Sequence, residues 1–260
     1  MSLRATVLTL LAMLAFAGNS ILCRLALKET AIDPASFTGL RLLSGAPTLW
    51  FIMRLAKGDS VGKGNWISAF ALFAYAAAFS LAYVQLSAAT GALLLFGAVQ
   101  TSMIGYSVAR GERLSTMQWL GLALAIGGLI ILLLPGLSAP PLDAALAMLG
   151  AGVAWGVYSL PFALLLSLFS WQSATLDSMG IIYALASGAL ASGVGYALWY
   201  AALPLLATSA AASVQLTVPV ITAIGGIVLI NEPLTTALVV ASVTILCGIA
   251  LVVLNNKKTP

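Results

Sequence analysis

Apolar residues run almost without interruption along the chain. The few charges divide it into long uncharged stretches: Ala5 to Cys23, Gly64 to Ala109, Leu114 to Leu142, Ala144 to Leu176, Ser178 to Ile230 and Pro233 to Asn256. A helix that crosses a bilayer needs roughly 20 consecutive apolar residues. The 46 residues from Gly64 to Ala109 and the 53 from Ser178 to Ile230 must therefore each hold two spans and a turn. Glycines, prolines and short polar clusters mark the breaks. They predict helices over residues 5–27, 35–55, 65–84, 88–109, 116–134 and 144–160, then 179–202, 207–230 and 235–254. The expected fold class is an all-α multi-pass membrane protein.

Composition narrows the functions. The chain has 260 residues, 62% of them hydrophobic, with 11 Lys plus Arg and 7 Asp plus Glu, whereas about a quarter of a soluble domain is charged. No soluble domain fits in what remains. Histidine is absent, which removes His-based acid–base chemistry, HExxH metal sites and Ser-His-Asp triads. Cys23 and Cys247 stand in apolar stretches near opposite chain ends, a placement that suggests neither a zinc site nor a disulfide framework. No catalytic residue, metal or cofactor is expected, and the chain does not read as an enzyme. The net charge of +4 comes from bases in short loops beside spans, where lysine and arginine set orientation; nucleic acid is not an expected partner. Arg4, an apolar stretch and Ala15-Phe16-Ala17 before Gly18 imitate a cleavable secretory signal, but the same stretch has a counterpart later in the chain and reads as a retained first helix.

That counterpart belongs to an internal duplication. A shift of 120 residues matches Ala92 with Ala212, Ile104 with Ile224, Gly105 with Gly225, Glu112 with Glu232, Leu114 with Leu234 and Gly128 with Gly248. A shift of 135 matches Leu11-Ala12-Met13-Leu14 with Leu146-Ala147-Met148-Leu149, and one of 117 matches Leu81, Tyr83 and Leu86 with Leu198, Tyr200 and Leu203. Two halves follow, residues 1–134 and 142–256. The turn with Arg110 and Arg113 is basic, whereas its twin, Asn231-Glu232-Pro233-Leu234, has no lysine or arginine. Five spans per half would invert the second copy, put the basic turn and both termini in the cytoplasm, and place a substrate site between the halves near the midplane, as in secondary transporters.

Ala15-Phe16-Ala17-Gly18-Asn19-Ser20 with Cys23-Arg24, then Arg41-Leu42-Leu43-Ser44-Gly45, Gly111-Glu112-Arg113-Leu114-Ser115, Trp155-Gly156-Val157-Tyr158 and Asn231-Glu232-Pro233-Leu234-Thr235 together resemble the EamA-type transporters of the drug/metabolite transporter superfamily. The resemblance covers nearly the whole chain. It implies ten helices in two inverted five-helix repeats, residence in the cell (inner) membrane and export of small metabolites, often amino acids. The partners it implies are the lipid bilayer and a small-molecule substrate. One departure is visible within the repeat: Leu14 to Phe79 is 65 residues and the matching Leu149 to Tyr196 is 47, so the second half lacks 18. The loss falls on the seventh span, leaving Pro161 to Trp171, whose eleven residues reach only about 16 Å of a core roughly 30 Å thick. Either this piece is a stub, or it extends the sixth helix through a kink at Pro161, giving nine crossings. A truncated, transport-inactive or partner-dependent protein of the same fold is the alternative to a working carrier.

Candidate substrate-binding residues follow from polarity at depth. Arg24 and Arg41 lie inside apolar helices, where a central charge costs about 2.5 to 3.5 kcal/mol; they would either attract a substrate carboxylate or snorkel to the interface and to helix-end carbonyls. Asn19, Gln100 and Gln215 lie deeper and could bond a ligand or a neighbouring helix. Trp155 with Tyr158, Tyr200 beside Tyr196 and Trp199, and Tyr83 beyond Tyr75 fall at helical spacing, either as cavity walls or, for Trp199 and Tyr200, as an interfacial belt. Glu112 and Glu232 read as turn residues bonding the start of the next helix. No acid stands near the middle of a span, so proton coupling is not expected; the chain reads as a facilitator driven by its substrate's own gradient, or as a carrier coupled through something the sequence does not show.

Overall fold

The computed structural model describes residues 2–56, 66–109, 114–133, 140–155, 175–206 and 214–254. Among them are helices and no strand: α1 (Leu3–Glu29), α2 (Pro34–Leu55), α3 (Trp66–Gln85), α4 (Ala88–Ala109), α5 (Thr116–Leu133) and α6 (Leu142–Trp155). Three more follow: α7 over residues 178–205, α8 (Thr217–Ile230) and α9 (Thr236–Leu254). The stub between Pro161 and Trp171 lies outside the described residues.

Local sequence explains most helix ends. Ser2 Oγ accepts from the Ala5 amide. Asp33 caps α2 through Ala35 and Ser36, with Pro34 in the first turn, where its missing N–H costs nothing. Ser115 and Gln118 form a reciprocal capping box at α5: the Ser115 amide donates to Gln118 Oε1 at 2.8 Å and the Gln118 amide to Ser115 Oγ at 3.3 Å. Asn231 ends α8 in the left-handed region (φ 54°), and the Glu232 amide reaches back to Gly226 O, a Schellman-type stop. In α7 the α-helical turns widen over Ala186–Val194 to i→i+5 closure before tightening again.

One end of the bundle is tied by polar contacts. The Asp33 and Thr175 backbones pair at 3.2 Å, and the Thr175 amide donates to Asp33 Oδ2 at 2.9 Å. Gln85 Nε2 donates to Asp143 Oδ2 at 3.0 Å, and Glu232 meets Arg24 and Ala88. The α1/α2 turn, the α3/α4 turn, the start of α6, the start of α7 and the α8/α9 turn thus share this end. Asp143 and Thr175 both stand here. The choice between a stub and a nine-crossing chain turns on residues 156–174, which lie outside the described residues.

At the crossing of α5 and α9, Gly128 lies against Ile245 and Ala241 O, while Gly248 lies against Gly121 O and Ala125 N. The shift of 120 that pairs Gly128 with Gly248 also pairs Gly121 with Ala241 and Ala125 with Ile245. The contact is reciprocal, as across a two-fold axis, and its order is reversed, so the two helices run antiparallel. A Cβ at Gly248 would stand 2.5 Å from Gly121 O and 2.6 Å from Ala125 N; only glycine lets the backbones come so near.

The outside of the bundle is apolar. Leu10, Leu14, Phe51, Ile224, Val228 and Val243 are large and exposed, a surface suited to lipid rather than water. By length and composition, α1 and α7 each pass as a membrane span among the described residues.

Candidate substrate-binding site

The site begins with a charge that has lost its water. Arg41, on the second turn of α2 beyond the Asp33 cap, is 5% exposed. Its guanidinium rests on two rings of α3, 4.7 Å from the centre of Phe79 and 5.7 Å from that of Tyr75, cation–π contacts that replace part of the lost hydration. Nη2 makes one long bond, 3.4 Å, to the Tyr75 hydroxyl. Nη1 is buried and has no hydrogen-bond partner. Among the described residues no carboxylate pairs with Arg41; the ion pairs there are Arg24–Glu232 and Lys28–Glu29. A guanidinium stays protonated wherever it stands, so its charge is fixed in place.

Arg41 borders an internal cavity whose other polar walls are Asn19 and Ser20 of α1, Ser192 and Tyr196 of α7, and Tyr75. As the side chains stand, it has room for about one water molecule. Asn19 is held from one side: its Oδ1 accepts from Ser187 Oγ at 2.7 Å and from Ser192 Oγ at 3.5 Å. Two serines five residues apart converge on one oxygen because the widened turns of α7 bring i and i+5 over each other, which an α-helical register would not do. The Asn19 carbonyl is thereby occupied, and its NH2 is left as the donor end. Small residues let α7 come this close, for Gly188 lies under Arg41 O and Ser44, and Gly193 under Thr48.

Arg24 has a different place. Its Nε pairs with Glu232 Oε1 at 3.2 Å, and Nη1 donates to Tyr83 O and Val84 O at 2.9 Å each. Both Glu232 oxygens accept from the Ala88 amide, at 3.1 and 2.8 Å. The cation thus sits on the carbonyl end of α3 and the anion on the amide start of α4, each complementing a helix dipole. Glu232 was expected to bond the helix that follows it; instead it crosses to α4, and Thr235 Oγ1 caps α9.

The EamA-like transporter family model matches this chain over residues 3–134 and again over 153–254. The chain belongs to that family. It is a membrane family of transporters rather than enzymes. An uncharacterized protein, PA1977, of Pseudomonas aeruginosa is 53% identical over 270 residues, covering 96% of this chain and 94% of that protein. That stretch is longer than this chain itself, so the relative carries internal residues that are missing here. A solved crystal structure of a protein 19% identical shares the fold, with a TM-score of 0.64 over 96% of this chain and 97% of that one.

Of the residues singled out in this EamA-like chain, Asn19 and Arg41 meet at the cavity, whereas Arg24 does not reach it. Tyr83 is fully buried behind the wall: its ring stands edge-on to Phe79 at 4.7 Å and its hydroxyl donates to Ala88 O at 3.3 Å. Gln100 is buried elsewhere in α4, Gln215 is half-buried just before α8, and Tyr200 is exposed. The Trp155 side chain and Tyr158 lie outside the described residues. Trp199, expected in an interfacial belt, is buried against Phe16 with ring centres 6.3 Å apart. Ser20, Ser192 and Phe79 were missed. A lone serine in an apolar helix gives no signal of which face it occupies, and Phe79 looks like any other core aromatic.

Proposed function

We propose that this chain is a carrier that exports small metabolites bearing a carboxylate, amino acids being one class that meets the description. It would work by alternating access between two inverted repeats, residues 1–134 and 142–256, in the inner membrane with both termini cytoplasmic. The observation that carries the reading is the buried, unpaired Nη1 of Arg41 at the wall of the cavity. An isolated buried cation is costly, and a substrate carboxylate would remove that cost when it binds. The antiparallel, reciprocal crossing of α5 with α9 supports the inverted arrangement. The small volume of the cavity supports a closed state, which must widen to admit a substrate.

Asn19 would donate beside Arg41, with Ser20, Ser192, Tyr75 and Tyr196 completing the polar lining. Arg24 would act by tying α1 to α3 and to the α8/α9 turn, its donors going to Glu232 and to the Tyr83 and Val84 carbonyls, rather than by contact in the cavity. Solute counterflow in proteoliposomes tests the reading: vesicles loaded with mixed unlabelled carboxylates should accumulate labelled ones above protein-free controls. Arg41→Gln should abolish that signal, and a protonophore should leave it unchanged at constant substrate gradient. No signal from folded protein would favour a second reading, a transport-inactive or partner-dependent member of the family. The internal residues that the Pseudomonas relative has and this chain lacks support that alternative.

A further inference from the structure

Among the described residues, the cavity wall carries one fixed positive charge and no negative one. The described lining, from Phe16 to Tyr196, contains no aspartate or glutamate, and the described acids are engaged elsewhere: Glu29 by Lys28, Asp33 by the start of α2 and Thr175, Asp143 by Gln85, Asp177 by the start of α7, and Glu232 by Arg24 and Ala88. We infer that, within the class of carboxylate substrates proposed above, this site takes small monocarboxylates that lack an ammonium group, such as 2-hydroxy or 2-oxo acids, and disfavours zwitterionic amino acids.

The argument is one of charge balance. A monoanion beside Arg41 brings the occupied cavity to neutrality. A zwitterion brings a carboxylate and an ammonium together and leaves the net charge at that of the empty site, with a second cation inside the same low-dielectric volume as the guanidinium. Like charges there repel more strongly than in water, and an ammonium stripped of water needs several acceptors.

The acceptors present are few. Asn19 Oδ1 already takes two serine hydroxyls. Of the rings in the lining, Phe79 and Tyr75 already carry Arg41, and Phe16 packs on Tyr196 with ring centres 5.2 Å apart. What remains is hydroxyl oxygen from Ser20 and Ser192, which serves a substrate hydroxyl or carbonyl as readily as an ammonium. Donors suited to a carboxylate are the better supplied: Arg41 Nη1 and the Asn19 NH2.

This inference rests on the carboxylate reading of the site, so the test separates the two. Binding to the purified full-length chain is measured by thermal shift and by displacement of a labelled carboxylate, using pairs of one skeleton: lactate with alanine, 2-hydroxy-4-methylpentanoate with leucine, and phenyllactate with phenylalanine. The hydroxy acid of at least one pair should bind roughly tenfold more tightly or better, the scale of one uncompensated charge in a partly shielded site. Arg41→Gln should lose both members. Asn19→Asp, which adds the missing anion, should weaken the hydroxy acid and move the ratio toward the amino acid. Amino acids binding as tightly as their hydroxy partners, with Arg41 still required, would overturn the inference and leave the carboxylate site standing. Binding of neither member, or binding indifferent to Arg41→Gln in a folded variant, would overturn both.

Discussion

Arg24 and Arg41 stand in neighbouring helices, and each had the same two readings from sequence. Their surroundings separate them. Arg24 spends its donors on Glu232 and on the Tyr83 and Val84 carbonyls, which are helix ends, so its charge is neutralised by the fold. Removing one member of such a shielded pair leaves the other uncompensated, at a cost of about 3 to 5 kcal/mol. Arg24→Gln and Glu232→Gln should therefore each lower the unfolding temperature in detergent, and the double substitution should cost clearly less than the sum of the two. Additive losses would mean that the two side chains do not act as a pair. Arg41 was legible in the sequence as a charge inside an apolar run. The Arg24–Glu232 pair was not, because its partners are separated by 208 residues and each stands next to a turn that could have satisfied it locally.

Among the elements, helix ends were the easiest features to read, since Asp33-Pro34, Ser115 with Gln118 and Asn231-Glu232-Pro233 carry their own capping chemistry. The Asp33 cap also has a pH signature. Burial pulls its carboxyl up, but hydrogen bonds from Ser36, Thr175 and Ala35 outweigh that and hold it below the usual carboxylate range. A lowered folded value means the stabilisation is complete above the unfolded value of about 3.9 and is lost as the pH falls through the folded one. The difference in unfolding temperature between the natural chain and Asp33→Asn should thus shrink as the pH drops from about 6 to about 3; a constant difference would exclude the carboxylate as its source. The widened stretch of α7 was not legible. Nothing in Ala186–Val194 distinguishes i→i+5 from i→i+4 closure beforehand, so the convergence of Ser187 and Ser192 on Asn19 could not be drawn from spacing. The crossing of α5 with α9 gives a sharper test. Gly248→Ala should cost about 1 to 3 kcal/mol through overpacking, read as a lower unfolding temperature, whereas Gly127→Ala, which has nothing within 4 Å of its new Cβ, should be neutral or stabilising.

For the whole molecule, the helical membrane character followed from hydrophobic run lengths, and the family followed from motifs within helices, such as Ala15 to Arg24 and Arg41 to Gly45, together with the turns at Gly111 to Ser115 and Asn231 to Thr235. The position of the cavity did not follow, because it forms where α1, α2, α3, α4 and α7 meet and no single helix carries its pattern. Trp199 illustrates the difficulty: its place near a helix end suggested the interface, and only the approach of Phe16 from α1 explains its burial. The reciprocal crossing reaches beyond structure into descent. Gly128 with Ala241 and Ile245, and Gly248 with Gly121 and Ala125, are two copies of one contact, so an ancestral half-length chain making it would have met a second copy of itself there, and any change would have altered both sides together. Fusion of two such copies would have freed each to drift. Among relatives, position 248 should then covary with 121 and 125, and position 128 with 241 and 245, as two independently inherited pairings.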